Sequence, residues 1–287
     1  MNTMATQTEK GATARDIQFH YDLGREFYQV WLDESMTYSC AKFEPGDDLH
    51  TAQLRKLDFH IKQAEISANA HVLDIGCGWG SLIRRIIDTV ENPRCLGLTL
   101  SQDQKSKVEE TDHDNVEAQL RSWETLTDEN AFDAVVSIGA FEHFARPEMS
   151  TEEKIQLYRG FFKKIRQVLK PGHCLSLQTI VFDKMPTQSF PTWITDEIFP
   201  GSILPRLHEI LAAADGVLSL ENLRNDGFDY GLTCREWVKR IEAARDEVVS
   251  LVGEERTHNY GRYLRMSSVA FEQKQFGLLR LKFRAHS

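Results

Sequence analysis

The sequence His71-Val72-Leu73-Asp74-Ile75-Gly76-Cys77-Gly78-Trp79-Gly80 indicates how this chain folds. A run of strand length leads into a turn that contains three glycines, and a helix-compatible segment follows it. Glycine has no Cβ, so the backbone at such a turn can approach a ligand closely. The stretch therefore predicts one strand–turn–helix unit of an α/β sheet, with a ligand bound at the turn.

Further apolar runs of strand length recur along the chain, with helical patterns between them. The runs are His71–Ile75, Arg94–Leu98, Ala131–Ile138, Cys174–Val181, Gly216–Leu223 and Phe276–Phe283. Strands that alternate with helices are typical of a parallel, doubly wound sheet. We also expect a helix capped by Asp48, a helix stop and turn at 170–172, and two helices between about Thr233 and Gln273.

The pattern divides the chain into three parts. Residues 1–12 are polar and predicted to be disordered, residues 13–66 have the periodicity of a helical cap, and residues 67–287 form the α/β core. The alternation breaks at 183–215, where four prolines fall among aromatic and polar residues. We interpret that segment as a lid inserted into the core.

The composition limits the functional classes. The 287 residues carry a formal net charge of -9, so a nucleic acid is not expected as a partner. No signal peptide or apolar run of membrane-spanning length is apparent. The five cysteines show no C-x-x-C pair and no zinc-site spacing, which predicts free thiols, no metal and a cytoplasmic location.

The ligand at the glycine turn is predicted from Asp74. This carboxylate stands two residues before the first glycine, and the spacing is G-x-G-x-G rather than the dinucleotide pattern G-x-G-x-x-G. A carboxylate there is poorly placed beside a pyrophosphate but suits a ligand with an ammonium and a sulfonium. S-adenosylmethionine is therefore expected rather than NAD.

The ends of the next two strands supply further candidate contacts. The second strand ends at Thr99-Leu100-Ser101 without the acid that usually holds ribose hydroxyls, although Gln104 offers an amide for the same purpose. The segment Arg121-Ser122-Trp123-Glu124 follows the third strand, where an adenine is commonly bound. Trp123 is a candidate for stacking on that ring.

Together these segments resemble the cyclopropane fatty acid synthases and mycolic acid methyltransferases. The resemblance covers nearly the whole chain from about Ile17. It rests on the segments HYDL at 20–23, MTYSCA at 36–41, DIGCGWGS at 74–81, LTLS at 98–101 with Gln104, SIGAFEHF at 137–144 and EIFPG at 197–201. It implies a class I S-adenosylmethionine methyltransferase fold, which is Rossmann-like, and a set of site residues. The cofactor contacts expected on this basis are Tyr38, Ser39, Asp74, Gly76, Gly78, Thr99, Leu100, Gln104, Ser122, Trp123, Glu124 and Ile138.

In the cyclopropane synthases a bicarbonate ion acts as the base, and the resemblance maps its holders to Cys40, Glu142, Tyr230 and the stretch 178–180. The family has histidine where this chain has Gln178. A neutral amide thus replaces an ionisable ring, and we expect no requirement for bicarbonate. His143, the neighbour of Glu142, is a second candidate base or a structural histidine.

Methylation of an alkene carbon creates a carbocation, which needs a dry pocket and a nearby carboxylate such as Glu142. Because of Gln178, the sequence favours C-methylation of an isoprenoid or other hydrophobic natural product. A lipid enzyme that makes cyclopropane or methyl-branched acyl chains, and a small-molecule N-methyltransferase, are the alternatives. Membrane contact is expected only for a lipid substrate, and a homo-oligomer is compatible with the sequence.

Overall fold

The computed structural model describes residues 23–286, except for the side chains of 195–197. One seven-stranded sheet runs through this part of the chain. Its strands are β1 (His71–Ile75), β2 (Arg94–Thr99), β3 (Val116–Leu120), β4 (Phe132–Ile138), β5 (Leu169–Phe182), β6 (Leu218–Asn225) and β7 (Phe276–Ala285). Their order across the sheet is β3-β2-β1-β4-β5-β7-β6.

The helices follow the predicted alternation with the strands. They are α1 (Arg25–Trp31), α2 (Leu49–Gln63), α3 (Ser81–Thr89), α4 (Gln102–Glu109), α5 (Thr151–Val168), α6 (Thr192–Glu197), α7 (Leu207–Ala214), α8 (Gly227–Ala243), α9 (Arg245–Val252) and α10 (Glu254–Glu272). Short 3-10 turns lie at 123–125, 141–143 and 187–189. The predicted Asp48 cap of α2 is present, because the Asp48 side chain accepts a hydrogen bond from the Thr51 N–H at 2.8 Å.

The central strands of the sheet are buried on both faces, as parallel strands require, whereas the edge strand β6 is exposed beyond Leu218. Along β1, Val72 packs into one hydrophobic cluster with Ile83 of α3, and the next residue, Leu73, packs into the other. The second cluster contains Trp31 of α1 and Phe161 of α5. Successive strand residues point to opposite faces, so this alternation places helices on both sides of the sheet.

The α/β class with a Rossmann-like sheet is confirmed, but the expectation of a wholly parallel sheet is wrong at one strand. Strands β1 to β5 pair in parallel, whereas β7 is antiparallel to both β5 and β6. The apolar run 276–283 predicted a strand correctly, but an apolar run does not encode direction.

The C-terminal helices also differ from the expectation. Three helices occupy 227–272 instead of two, and the first begins six residues before Thr233, in a segment whose two glycines are typical of a turn. The two glycines there permit close packing: a Cβ at Gly227 would lie 3.3 Å from the Phe276 carbonyl oxygen, and one at Gly231 would lie 3.1 Å from Glu272 Cγ. Glycine at close contacts imitates the composition of a turn.

The helix end predicted at 170–172 is confirmed, but the turn predicted there is wrong. α5 ends at Val168, yet β5 begins at Leu169, so the residues expected to form a turn lie within the strand. The pairing of β4 with β5 shifts register there, and Gly172 has a φ of 77°. The segment is therefore a bulge, where proline and glycine are tolerated.

Some predictions lie wholly or partly outside the described residues. These are the disordered segment 1–12, the start of the helical cap at 13–22 and the Glu197 side chain. Within the expected lid at 183–215, the structure has the 3-10 turn at 187–189, α6 and α7. None of the helices between residues 23 and 286 has the length and apolar character to cross a bilayer.

Candidate active site

A cavity of about 270 Å³ opens where β1, β2 and β4 end. All twelve residues predicted to contact the cofactor line it, although they come from five separate stretches of the chain. They are Tyr38, Ser39, Asp74, Gly76, Gly78, Thr99, Leu100, Gln104, Ser122, Trp123, Glu124 and Ile138. The carboxyl ends of parallel strands meet at one edge of a sheet, which is why these residues converge.

The glycine turn needs its glycines for two physical reasons. Gly76, Gly78 and Gly80 have φ values of 77°, 53° and 82°, a region that residues with a side chain rarely adopt. A Cβ at Gly76 would also lie 2.5 Å from the Ala140 Cβ. The turn therefore brings backbone to the floor of the cavity, as an adenosyl ligand would require.

Asp74 is the acidic group of the cavity. It is 4% exposed, and burial raises the pKa of its carboxyl to about 7, against the opposing charge of Lys56. Among the described residues no side chain forms an ion pair with it. A buried carboxylate without a protein cation suits the ammonium of a ligand, as the sequence predicted.

The remaining contacts fit the other parts of an adenosyl group. Thr99 Oγ1 donates to Gln104 Oε1 at 2.7 Å, which leaves the Gln104 amide nitrogen to donate to hydroxyls in the cavity. Trp123 lines the cavity while its ring packs 5.2 Å from that of Phe144. Glu124 also lines it but is exposed. The donor set fits S-adenosylmethionine in charge, ribose contacts and a surface for the adenine ring.

A second cavity adjoins the first. Tyr38, Ser39, Gly139 and His143 line both. The walls of the second cavity are mainly apolar, with Ile180, Phe190, Phe199, Ile203, Leu204 and Leu278. Its polar lining comes from Tyr38, Ser39, Glu142, His143, Gln178, Ser202 and Tyr230, which include four of the five predicted catalytic residues. Such a cavity suits an apolar substrate beside a methyl donor.

Glu142 lies in the 3-10 turn after β4 and is 6% exposed. Its Oε1 accepts the Ile180 N–H at 2.7 Å, and its buried Oε2 has no hydrogen-bond partner within residues 23–286. Burial raises the pKa of this carboxyl to about 7, and the Ile180 N–H opposes the rise. Among the described residues, its carboxylate neither caps a helix nor forms an ion pair. Its second oxygen is left for a ligand.

His143 forms the wall between the two cavities. Its Nδ1 lies 2.9 Å from Ser202 Oγ, and its ring packs 5.7 Å from the Phe199 ring. Desolvation lowers the pKa of the imidazole to about 4, so the ring is neutral near pH 7. Its contacts attach the turn after β4 to the segment that precedes α7.

Gln178 has one defined orientation. Its Oε1 lies 2.9 Å from Arg280 Nε, which can only donate, and 3.1 Å from His60 Nε2. Exchanging the amide oxygen and nitrogen would place two donors against each other. The oxygen thus faces the buried Arg280 and His60. Gln178 also lines the second cavity, and its amide N–H groups are left to face that cavity.

Tyr230 and Cys40 have different positions. Tyr230 lines the second cavity, its ring stacks 4.6 Å from that of Phe271, and burial holds the pKa of its hydroxyl well above its usual range. Cys40 lines neither cavity. Its thiol points to the Ala41 carbonyl oxygen at 3.1 Å, and burial raises its pKa to about 12. It is therefore a neutral thiol outside the cavities.

The sequence prediction missed a buried polar stripe on α2. Gln53, Lys56, His60 and Gln63 recur at helical spacing and are each at most 9% exposed. The sequence predicted only the helix itself, and polar residues beside its apolar side are typical of a solvent-exposed face. The tertiary structure instead places them behind the two cavities, where His60 contacts Gln178 and Lys56 contacts Ser39. The only signal was the recurrence of long polar side chains three and four residues apart.

Comparison with known proteins shows similarity over nearly the whole chain. The family model for mycolic acid cyclopropane synthetase matches residues 8–281. A cyclopropane mycolic acid synthase 2 of Mycobacterium bovis is 33% identical over 291 residues, covering 95% of this chain and 94% of that protein. The cyclopropane-fatty-acyl-phospholipid synthase of Escherichia coli is 31% identical over 265 residues, covering 92% of this chain and 66% of that protein.

The similarity to this family extends to a solved structure. A mycolic acid cyclopropane synthase crystallised with S-adenosylhomocysteine and CTAB superposes with a TM-score of 0.86. It is 27% identical, and the match covers 96% of this chain and all of that one. Its bound S-adenosylhomocysteine supports the prediction of S-adenosylmethionine from Asp74 and the glycine turn.

Proposed function

Because the chain belongs to the mycolic acid cyclopropane synthetase family and is an S-adenosylmethionine-dependent methyltransferase, we propose that it methylates a carbon–carbon double bond in a long apolar acyl chain. The names of the two relatives described above indicate that they act on mycolic acids and on fatty acyl phospholipids. Their support for an acyl substrate outweighs the inference from Gln178, which had favoured an isoprenoid.

One observation carries this proposal: the two cavities share a wall, and the second is apolar except for a few groups around Glu142. An acyl chain can lose its hydration there without leaving buried polar groups of its own unpaired. Its double bond would lie next to the methyl donor, and alignment of donor and acceptor lowers the barrier to displacement.

When bound, S-adenosylmethionine would supply a methyl group from its sulfonium to one alkene carbon, and the electron pair of the broken carbon–sulfur bond would remain on sulfur. The other alkene carbon becomes cationic, and the Glu142 carboxylate stabilises it across the cavity. Loss of a proton from the added methyl group closes a cyclopropane, and loss from a neighbouring carbon gives a methyl-branched alkene.

The base for this last step is part of the proposal. Glu142 lines the second cavity, and its buried Oε2 has no hydrogen-bond partner within residues 23–286, so we assign it to take the proton. Gln178 is neutral and Tyr230 stays protonated, so neither accepts a proton. We accordingly expect the enzyme to turn over in bicarbonate-free buffer.

Access to the cavity involves the segment between β5 and α7. Phe190, Phe199 and Ile203 from this segment line the second cavity, which supports the interpretation of 183–215 as a lid over the substrate. All five cysteines are unpaired, which supports a cytoplasmic location for the reaction. An acyl chain in a phospholipid would require contact with a membrane surface.

The experiment offers methyl-labelled S-adenosylmethionine with unsaturated phospholipid vesicles, prenylated small molecules and secondary amines in separate reactions. We expect label in the acyl chains, and at least about tenfold less of it with the Glu142→Gln variant. NMR then separates cyclopropane protons from those of a methyl-branched alkene, since the two products have the same mass. Label in prenylated molecules with lipids untouched would contradict the proposal and restore isoprenoid C-methylation, and label in amines would indicate N-methylation.

A further inference from the structure

Lys56 is a buried cation that the proposed reaction does not use. It lies on α2, is 1% exposed, and its Nζ lies 2.9 Å from Ser39 Oγ. Within residues 23–286 no acid forms an ion pair with it; Asp33 and Asp74 act on it only at longer range. A buried ammonium without a paired anion is costly, so its retention needs a reason.

The hydrogen bond to Lys56 determines what Ser39 presents to the cavities. An ammonium can only donate, so the Ser39 oxygen accepts from Lys56 and the hydroxyl hydrogen is directed elsewhere. The Ser39 carbonyl is held separately, because it accepts from Gln53 Nε2 at 2.8 Å. Ser39 lines both cavities, so its O–H donates towards a ligand there.

The cofactor offers a matching group. The methionyl end of S-adenosylmethionine carries an ammonium and a carboxylate. Asp74 complements the ammonium, but a second anion at the same end would be repelled by Asp74 unless a cation balanced it. Arg121 also lines the cavity, but its guanidinium donates to Thr125 and Gln119 beside the segment predicted to hold the adenine.

We propose that Lys56, acting through the Ser39 hydroxyl, is the positioning residue that selects the carboxylate of the cofactor. Burial lowers the pKa of Lys56 to about 7, and an anion bound at Ser39 favours its charged form. The selection needs S-adenosylmethionine as cofactor and is independent of which acceptor is methylated.

The test compares binding of S-adenosylmethionine and decarboxylated S-adenosylmethionine by isothermal titration calorimetry, without any acceptor. The wild-type protein should bind the complete cofactor at least about tenfold more tightly, the range for a hydrogen bond to a charged group. Lys56→Met should lose most of this preference and leave the affinity for the decarboxylated ligand within about twofold. Lys62→Met removes an exposed charge from the same helix and should keep the preference.

Four results would overturn the proposal. Equal binding of the two ligands by the wild-type protein would do so without any variant. An equal loss for both ligands in Lys56→Met would make Lys56 a structural residue only, and no change would exclude it from binding. If Lys56→Met does not fold, Ser39→Ala takes its place and should lose affinity selectively for the ligand with the carboxylate. An unchanged preference in Ser39→Ala would exclude the route through the Ser39 hydroxyl.

Discussion

At the scale of single residues, the amide of Gln178 illustrates how a neutral side chain acquires a fixed polarity. Arg280 and His60 both donate to its oxygen. His60 stays neutral, because desolvation and the charge of Arg280 keep its pKa well below the usual range. Its Nε2 therefore carries the hydrogen, and its Nδ1 accepts from Ser176 at 2.8 Å. The Gln178 amide nitrogen is therefore left to face the second cavity as a hydrogen-bond donor.

Gln178→Glu tests whether that donor matters. A glutamate keeps the oxygen for Arg280 and His60 but turns an oxygen, instead of N–H groups, towards the cavity. We expect turnover to fall about tenfold because a hydrogen bond to a bound species is lost, while the midpoint of thermal unfolding does not fall. Steady-state kinetics at saturating cofactor gives the measurement. Gln178→His, which restores a ring N–H, is the control, and full activity in Gln178→Glu would remove the donor from the mechanism.

The raised pKa of Glu142 predicts that turnover depends on pH. The pKa of about 7 means that its carboxylate forms only as the pH rises through 7, so turnover at saturating cofactor should increase over that range. Saturation with cofactor matters because Asp74, which lines the first cavity, and Lys56, which lies behind it, also have pKa values of about 7. In Glu142→Gln we expect at least about tenfold lower turnover with unchanged cofactor affinity and no such rise.

The same shift has a consequence for stability. A carboxyl whose folded pKa is raised stabilises the fold fully below its unfolded pKa of about 4.5, and that contribution is lost as the pH rises through 7. Glu142→Gln should therefore lose less stability than the wild type between pH 5 and about 8. An identical decline in both proteins, measured by urea unfolding, would show that Glu142 is not the group that titrates.

At the scale of elements, α7 is attached to α5 by a buried ion pair. Lys154 and Glu209 have side chains only 8% and 1% exposed. The Glu209 carboxylate also accepts the Arg206 N–H at 2.8 Å, at the start of α7. This contact anchors the end of the segment that supplies the apolar wall of the second cavity.

Lys154→Met should destabilise the protein by about 3 kcal/mol, because it leaves the Glu209 carboxylate buried and unpaired. The double variant Lys154→Met with Glu209→Gln should recover most of that loss, since no buried charge then remains. Lys163→Met, at an exposed position of the same helix, should change the free energy of unfolding by less than about 0.5 kcal/mol. Urea unfolding measures all three, and equal losses in the single and double variants would contradict the explanation.

At the scale of the whole molecule, the site depends on contacts between distant parts of the chain. Arg280, on the antiparallel strand β7, pairs with Asp226 and donates to the Ala41 carbonyl oxygen at 2.9 Å. The same side chain thus joins the loop before α2, the start of α8 and Gln178 on β5. Insertion of β7 between β5 and β6 is what brings these segments to the edge of the sheet where the glycine turn lies.

The sequence by itself determined the α/β class, six of the seven strands to within a few residues, the cofactor, and twelve residues that line the cavity where β1, β2 and β4 end. Strand periodicity, the glycine turn and Asp74 are local signals, and parallel strand ends must meet at one sheet edge. Only the tertiary structure decided the direction of β7, the helical position of Tyr230, and the burial of the polar stripe that holds Gln178 and Ser39. Those features depend on partners that are distant in sequence, and a polar residue looks the same in sequence whether water or a buried partner satisfies it.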